Sequence, residues 1–338
     1  MLVGAEAGGG KTRLTGEFVA GVRERAQVLS GDCVALSEAE LPYAPFTAAL
    51  RRVIGEQGTA EVAALLPEQD AGELARLLPD FGTPAAEADP AAARSRLFEL
   101  LLTLLERLAE RRPLVLVVED VHWADPLTQD LLTFLVRNLR HAAVLLVVTY
   151  RSDELNRSHS VRRLLAELDR VDGVTSLELP RLTRAEVAAQ LEGILDHPPE
   201  PALVGAVYER TDGIPLFTEA LVGPGGALRA EPPGPLRNLL LGAVQQLPER
   251  TQQVLRTLAG GGVQVGHALL RAVTGLDDAA LTAALRPAVA ANVLVGDADG
   301  YAFRHELFRD AVRGELLAGE RIRVRDEALL AAGTPVPR

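Results

Sequence analysis

Over residues 1–180, short apolar runs alternate with longer amphipathic stretches, the order expected of strands joined by crossover helices. The pattern predicts strands at Val28–Asp32, Leu114–Val118, Val144–Thr149 and Thr175–Leu179. The middle two are continuous apolar runs, as parallel strands buried on both faces require. Helices are expected over residues 11–25, Ala91–Arg111, Pro126–Leu139 and Val161–Leu168. In the first, Leu14, Phe18 and Val22 recur at helical spacing to meet the sheet; in the second, Leu97, Leu100, Leu101, Leu104, Leu105 and Leu108 form one broad stripe. Between Pro42 and Asp89 the chain reads as short helices broken by Pro67, Pro79 and Pro84.

Residues 181–222 are helical in pattern, and Gly223–Pro235, with four Gly and four Pro in thirteen residues, is the expected linker. Beyond it Leu236–Ala290 reads as helices with breaks near Pro248, Gly260–Gly262 and Gly275. Val293–Val295 and Tyr301–Phe303 flank Gly296-Asp297-Ala298-Asp299-Gly300, which predicts a β-hairpin. The expected fold is therefore an α/β parallel sheet flanked by helices over 1–180, a helical lid over 181–222, a linker over 223–235 and a winged-helix domain over 236–330.

At 338 residues the chain is long enough for two or three domains. Its 35 basic and 46 acidic residues leave a net charge of −11, a poor match to nucleic-acid phosphate. The longest apolar run, Ala142–Val148, has seven residues against the roughly 20 of a membrane-spanning helix. Met1–Glu6 lacks a basic stretch followed by an apolar core, so no secretory signal is expected. A single cysteine, Cys33, cannot form an internal disulfide, which fits a reducing, cytoplasmic compartment. Of the 35 basic residues 34 are Arg; the one lysine is Lys11, directly after Gly8-Gly9-Gly10. The two cations differ where a compact ammonium must enter a narrow phosphate cradle, so this position reads as one that needs lysine.

A strand, a glycine loop, Lys11-Thr12 and a helix, in that order, are what a triphosphate site requires. Glycine amides approach the phosphate oxygens, Lys11 neutralises their charge and the Thr12 hydroxyl is offered to Mg²⁺. The pattern wants glycine at position 5, where Ala5 stands while Gly4 is one residue early, so strain or a shifted turn is expected there. Only Met1–Val3 precede the loop, a short first strand. The bland alternative is a glycine-rich turn that caps a helix. The run Leu114–Val118 ends in Glu119 and Asp120, one carboxylate placed to hold a metal and the other to orient or deprotonate a water; the alternative is an acidic lead into the next helix. Asp125 before Pro126 reads as a helix N-cap, and Trp123 as a packing anchor. Arg151, just beyond a strand end, could sense a γ-phosphate or be a solvated loop arginine.

Taken together these segments resemble the nucleotide-binding module of the STAND class of P-loop ATPases, and more narrowly the large ATP-binding regulators of the LuxR family. The resemblance covers residues 1–330. Gly4–Leu14 is similar to the family phosphate loop, Leu41-Pro42-Tyr43-Ala44-Pro45-Phe46 to the segment after its second strand, Glu119–Asp125 to its Walker B signature and Thr149-Tyr150-Arg151 to its sensor strand. Gly213-Ile214-Pro215 resembles the G-x-P motif and Phe303-Arg304-His305 the late F-R-H segment.

The resemblance implies an ATP-binding switch with slow hydrolysis that uses ATP or ADP and Mg²⁺. Glu119, Asp120 and Arg151 would serve the reaction, and Thr12, Glu119 and Asp120 the metal. Gly8, Gly9, Gly10, Lys11, Thr12 and Arg13 would hold the nucleotide, with Pro215 near adenine and His305 reaching toward phosphate. Departures are Ala5, Glu119 where Asp is common, and the lack of the stretch that precedes the family loop. The chain also stops at Arg338, short of a DNA-reading helix-turn-helix, and Arg321, Arg323 and Arg325 read as a solvated face. The expected partners are thus a nucleotide, a second copy or further sensor and DNA-binding domains, with no direct nucleic-acid or membrane contact. The alternatives are a degenerate module that binds without turnover, or the ATPase module of a cyclase- or kinase-linked regulator.

Overall fold

The apolar run that begins at Leu114 forms a strand whose alternate side chains enter two different cores. In the computed structural model, residues 1–33, 42–67, 71–83, 89–155, 159–223, 226–261, 264–297, 300–317 and 319–320 are described. The chain forms two compact units, Met1–Leu179 and Pro180–Arg338.

In the first unit, five parallel strands run β1 (Leu2–Ala5), β2 (Gln27–Asp32), β3 (Leu114–Glu119), β4 (Val144–Arg151) and β5 (Ser176–Glu178), in the spatial order β2-β3-β4-β1-β5. Leu114, Leu116 and Val118 enter one core together with the buried leucines of α4 (Pro90–Arg111), α5 (Pro126–Asn138) and α6 (His159–Leu168). Val115 and Val117 enter the other with Val3, Val147 and the Phe18, Val19 and Val22 side chains of α1 (Lys11–Val22). Burial on both faces explains why these strands read as unbroken apolar runs. β1 is short, yet it is paired on both sides, Leu2 standing opposite Val148 and Ser176.

Several expectations need correction. α1 ends at Val22, not at Arg25, and Leu14 points to solvent; Thr15 is buried one position later. β4 runs two residues beyond Thr149, which carries Tyr150 and Arg151 within the sheet, opposite Gly4 and Ala5. Between Pro42 and Asp89 the first helix, α2 (Ala44–Gln57), is fourteen residues long rather than short. It is followed by α3 (Thr59–Ala63) and two 3₁₀ turns, Ala71–Arg76 and Pro79–Phe81; Pro84 lies outside the described residues, as does Leu41. The α4 stripe is buried as its spacing predicts, and Asp89 caps that helix by accepting from the Ala91 amide at 2.9 Å.

Two glycines of the sheet are set by close approach rather than by a turn. A Cβ on Gly31 would collide with the Pro45 backbone, 2.6 Å from its carbonyl carbon, where α2 crosses β2. A Cβ on Gly4 would collide with the tips of Tyr150 and Glu178, whose side chains meet over this glycine at 3.3 Å. Gly4 is therefore not a displaced motif glycine; it makes room for a side-chain pair on its two neighbouring strands.

The second unit holds α7 (Arg184–Leu195), α8 (Pro201–Thr211) and α9 (Pro215–Leu221), then α10 (Gly234–Gln245), α11 (Glu249–Gly261), β6 (Gln264–Val265), α12 (His267–Thr274), α13 (Asp278–Ala290), β7 (Leu294–Gly296), β8 (Tyr301–Phe303) and α14 (Glu306–Glu315). The last strands form an antiparallel sheet ordered β6-β8-β7. Ala298 and Asp299 of the hairpin turn lie outside the described residues, as do Arg321, Arg323 and Arg325. Ile214, Phe217 and Leu221 share one core with buried residues of α10, α11, α13 and α14. Part of the Gly/Pro-rich stretch also folds back, since Val222 bridges Leu228 and the Arg229 amide donates to Leu221 O at 2.9 Å. Among the described residues, no helix is long and apolar enough to cross a membrane.

The two sheet glycines separate in a stability test. Gly31→Ala, which meets immobile backbone, is expected to cost about 1–3 kcal/mol or more. Gly4→Ala, which displaces flexible tips and their hydrogen bond, is expected to cost about 0.5–1.5 kcal/mol. Urea denaturation of the two variants checks this order, and a larger loss at Gly4 would contradict it.

Candidate functional site

The loop between β1 and α1 takes its shape from two glycines. Gly8 and Gly10 have φ of 76° and 96°, left-handed values that a side chain resists. Ala5 is not one of the left-handed residues: it closes β1 in register with Arg151, so the strain expected there is absent. What alanine does impose is the neighbour it can accept. A Cβ on Gly9 would lie 2.9 Å from the Ala5 Cβ and 3.0 Å from Glu6 O.

Lys11 is buried, and its Nζ donates to the carbonyls of Ala5 at 3.2 Å and Glu6 at 3.4 Å. Burial lowers its pKa; the Asp120 charge opposes that shift and Arg151 adds to it. Arg13 follows on the exposed side of α1.

At the end of β3, Glu119 accepts from the Thr12 hydroxyl at 3.1 Å and from the Thr15 hydroxyl at 3.4 Å. Residues 107 apart in sequence are thus joined at the mouth of the loop. Burial raises the Glu119 pKa against the Thr12 hydrogen bond, and the Asp32 and Asp120 charges push the same way as burial. Asp120 has φ 55° and donates its amide to the buried Thr149 Oγ1 at 3.0 Å, which pins the turn after β3 to β4. Burial raises its carboxyl as well, opposed by Lys11 and Arg151.

His122 packs beneath this turn with 2% of its side chain exposed and Nδ1 3.8 Å from Asp120 Oδ1. Burial, then the charges of Arg151 and Lys11, bring its pKa down to about 4, so the ring is neutral at neutral pH. Trp123, expected to anchor packing, is instead 44% exposed, its ring 5.2 Å from that of His122. Asp125 is the N-cap of α5, accepting from the amides of Leu127 at 2.9 Å and Thr128 at 3.0 Å.

Arg151 is neither bare nor simply solvated. Its Nη2 donates to Asp153 at 2.8 Å and lies 3.8 Å from Glu154, both on the 3₁₀ turn Ser152–Glu154. Burial pushes the Asp153 carboxyl up, but the Arg151 hydrogen bond and charge outweigh it and leave Asp153 below the usual carboxylate range.

The structure thus gathers Gly8, Gly9, Gly10, Lys11, Thr12, Glu119, Asp120 and Arg151 at the carboxyl edge of one sheet, where open α/β sheets bind ligands. Thr15, His122, Thr149 and Asp153 also belong to it; His122 and Thr149 fall within the motif-like segments, and none of the four has a predicted role. Thr15 had a signal, its three-residue spacing from Thr12 on one helix face. Among the described residues, no three or more His, Cys, Asp or Glu are placed to hold a metal ion. A cation at Glu119 and Thr12 would draw its other ligands from phosphate and water, as Mg²⁺ commonly does.

Pro215 and His305 belong to the second unit. Pro215 opens α9 and its carbonyl accepts from Gln190 Nε2 at 2.9 Å. The preceding Gly213 has φ 72°, and a Cβ there would collide with the Leu182 carbonyl; its own carbonyl accepts from the Leu182 amide at 2.9 Å. His305 is buried at the start of α14, edge-on to Phe217 with ring centroids 5.6 Å apart.

Comparison with known proteins agrees with this geometry. Residues 1–148 match the family model for the AAA ATPase domain. An uncharacterized protein of Rhizobium meliloti is 30% identical over 255 residues, which are 69% of this chain and 24% of that protein. The chain thus spans about a quarter of the length of this curated relative. Among solved structures, a Walker-type ATPase of Pyrococcus abyssi superposes with a TM-score of 0.57 at 14% identity, over 93% of this chain and 90% of that one. The first unit therefore has the fold of a P-loop ATPase, and residues 1–148 form a module of the AAA type.

Since Ala5 is extended and unstrained, glycine there brings no relief. Ala5→Gly is expected to lower the unfolding free energy by about 0.5–1 kcal/mol, the usual cost of glycine inside a strand. A gain in stability on chemical denaturation would instead reveal strain at this position.

Proposed function

We propose that this AAA-type P-loop module binds ATP or ADP with Mg²⁺, hydrolyses ATP slowly and acts as a signalling switch, the nucleotide-binding module of a LuxR-type transcriptional regulator. The observation that carries the reading is the Thr12–Glu119 hydrogen bond, which sets the metal-binding hydroxyl and the strand-end carboxylate side by side at the glycine loop. Lys11 would exchange the Ala5 and Glu6 carbonyls for phosphate oxygens, and the Gly8–Gly10 amides and the start of α1 would receive the same anion. Thr12 and Glu119 would hold Mg²⁺, which when bound neutralises charge on the phosphates. Asp120, fixed by Thr149, would orient the attacking water, and Arg151 would face the terminal phosphate.

The second unit supports the finer part of the proposal. Its order α11-β6-α12-α13-β7-β8 with the antiparallel sheet β6-β8-β7 supports reading it as a winged helix. The family resemblance assigns Pro215 to adenine and His305 to phosphate. A switch requires each nucleotide to favour a different arrangement of the chain. A net charge of −11 weighs against DNA binding by this stretch itself. One observation favours a second reading, a module that binds without turnover: Arg151 already has its charge matched by Asp153 and Glu154.

Equilibrium binding of labelled ATP and phosphate release at saturating MgATP test the proposal in wild type and Lys11→Ala. The variant is expected to lose at least tenfold in affinity and all phosphate release. Equal binding by both proteins overturns the reading, while tight binding without release by the wild type selects the second one. Small-angle scattering that is identical with ADP and with non-hydrolysable ATP would exclude the switch.

A further inference from the structure

The proposed reaction leaves a neighbour of Asp120 without a role. His122 is buried at the end of the strand-exit turn, and neither ring nitrogen has a hydrogen-bond partner. A neutral imidazole carries one N–H donor and one acceptor, and buried polar atoms of this kind are nearly always paired. Leaving both unpaired is a penalty that the fold tolerates next to the one carboxylate assigned to water.

The geometry around Asp120 limits what can move. Its backbone is held by the left-handed φ of 55° and by the amide bond to Thr149 at 3.0 Å. The carboxylate itself is 43% exposed, and the Lys11 and Arg151 charges both favour its ionised form against burial. His122 Nδ1 stands 3.8 Å from its Oδ1, beyond hydrogen-bond length by less than 1 Å. With the imidazole packed and Asp120's backbone pinned, the exposed carboxylate is the partner with freedom to turn.

We infer that His122 is a positioning residue for Asp120: its Nδ1–H binds one carboxylate oxygen in the nucleotide-loaded site and leaves the other directed at the attacking water. The inference rests on the role proposed above for Asp120. It requires the tautomer with the proton on Nδ1, and it gives a use to a side chain that makes no hydrogen bond of its own in the fold. No proton is transferred by His122, so the group aligns the carboxylate without taking part in bond making.

Phosphate release at saturating MgATP and ATP affinity are compared for wild type, His122→Phe, His122→Asn and His122→Gln. The phenylalanine variant keeps the ring and loses the donor; turnover is expected to fall ten- to a hundredfold with affinity within twofold of wild type. Asparagine places an amide N–H near the position of Nδ1 and is expected to recover most of the turnover, whereas glutamine, which reaches the position of Nε2, is not. Should His122→Phe fail to fold, the asparagine–glutamine contrast still decides, and equal turnover by those two overturns the inference. In an Asp120→Asn background, His122→Phe is expected to add no further loss. Wild-type turnover in His122→Phe removes the positioning role alone, whereas absence of phosphate release from the wild type removes the reaction proposed for the site and this role with it.

Discussion

An ammonium group taken out of water must be met by polar partners, and Lys11 is met by two carbonyls of its own loop and by the charges of Asp120 and Asp153, against the repulsion of Arg151. Most other features of the first unit follow from accommodating that cation. The loop must curl tightly enough to turn the Ala5 and Glu6 carbonyls inward, which places left-handed backbone at Gly8 and Gly10. The strand carrying Ala5 must lie beside β4, so that Arg151 and its acid partners share the same edge. The two acids at the end of β3 must arrive from the next strand but one, and the sheet order β2-β3-β4-β1-β5 delivers them there.

Much of this was legible in the amino-acid sequence, and the reason differs from element to element. β3 and β4 announce themselves because two-sided burial leaves no polar position to interrupt them. α4 does so because nine buried residues sit on one stripe behind an Asp-Pro start. Asp125 was read correctly because an N-cap is a local device, complete within three residues.

The misreadings share a cause: each concerned a residue whose surroundings come from elsewhere in the chain. Ala5 looked like a broken motif because spacing specifies residue type without specifying φ, and here the bend is made at Gly8 and Gly10. Gly4 looked like a misplaced motif glycine, while its actual constraint, Tyr150 meeting Glu178 above it, involves two distant strands. Trp123 was assigned to packing on its chemistry alone, and the short turn that presents it to solvent has no periodicity to betray it. For Arg151 the choice between a γ-phosphate sensor and a solvated loop arginine stayed open, because no turn was predicted to bring Asp153 and Glu154 back toward it. His122 stood inside the segment resembling a Walker B signature but had no role of its own there, since a histidine's burial is decided by the tertiary fold.

The four-residue first strand has a consequence for how this chain is made. Its neighbours are Val148 on one side and Ser176 on the other, so neither edge of β1 can be paired while the ribosome has delivered only the first half of the unit. A domain with such distant pairings folds slowly and late, because a long loop must close before any ladder bond forms. The Leu2–Ala5 segment therefore stays an apolar, unpaired stretch until β4 and β5, synthesised well after it, are in place.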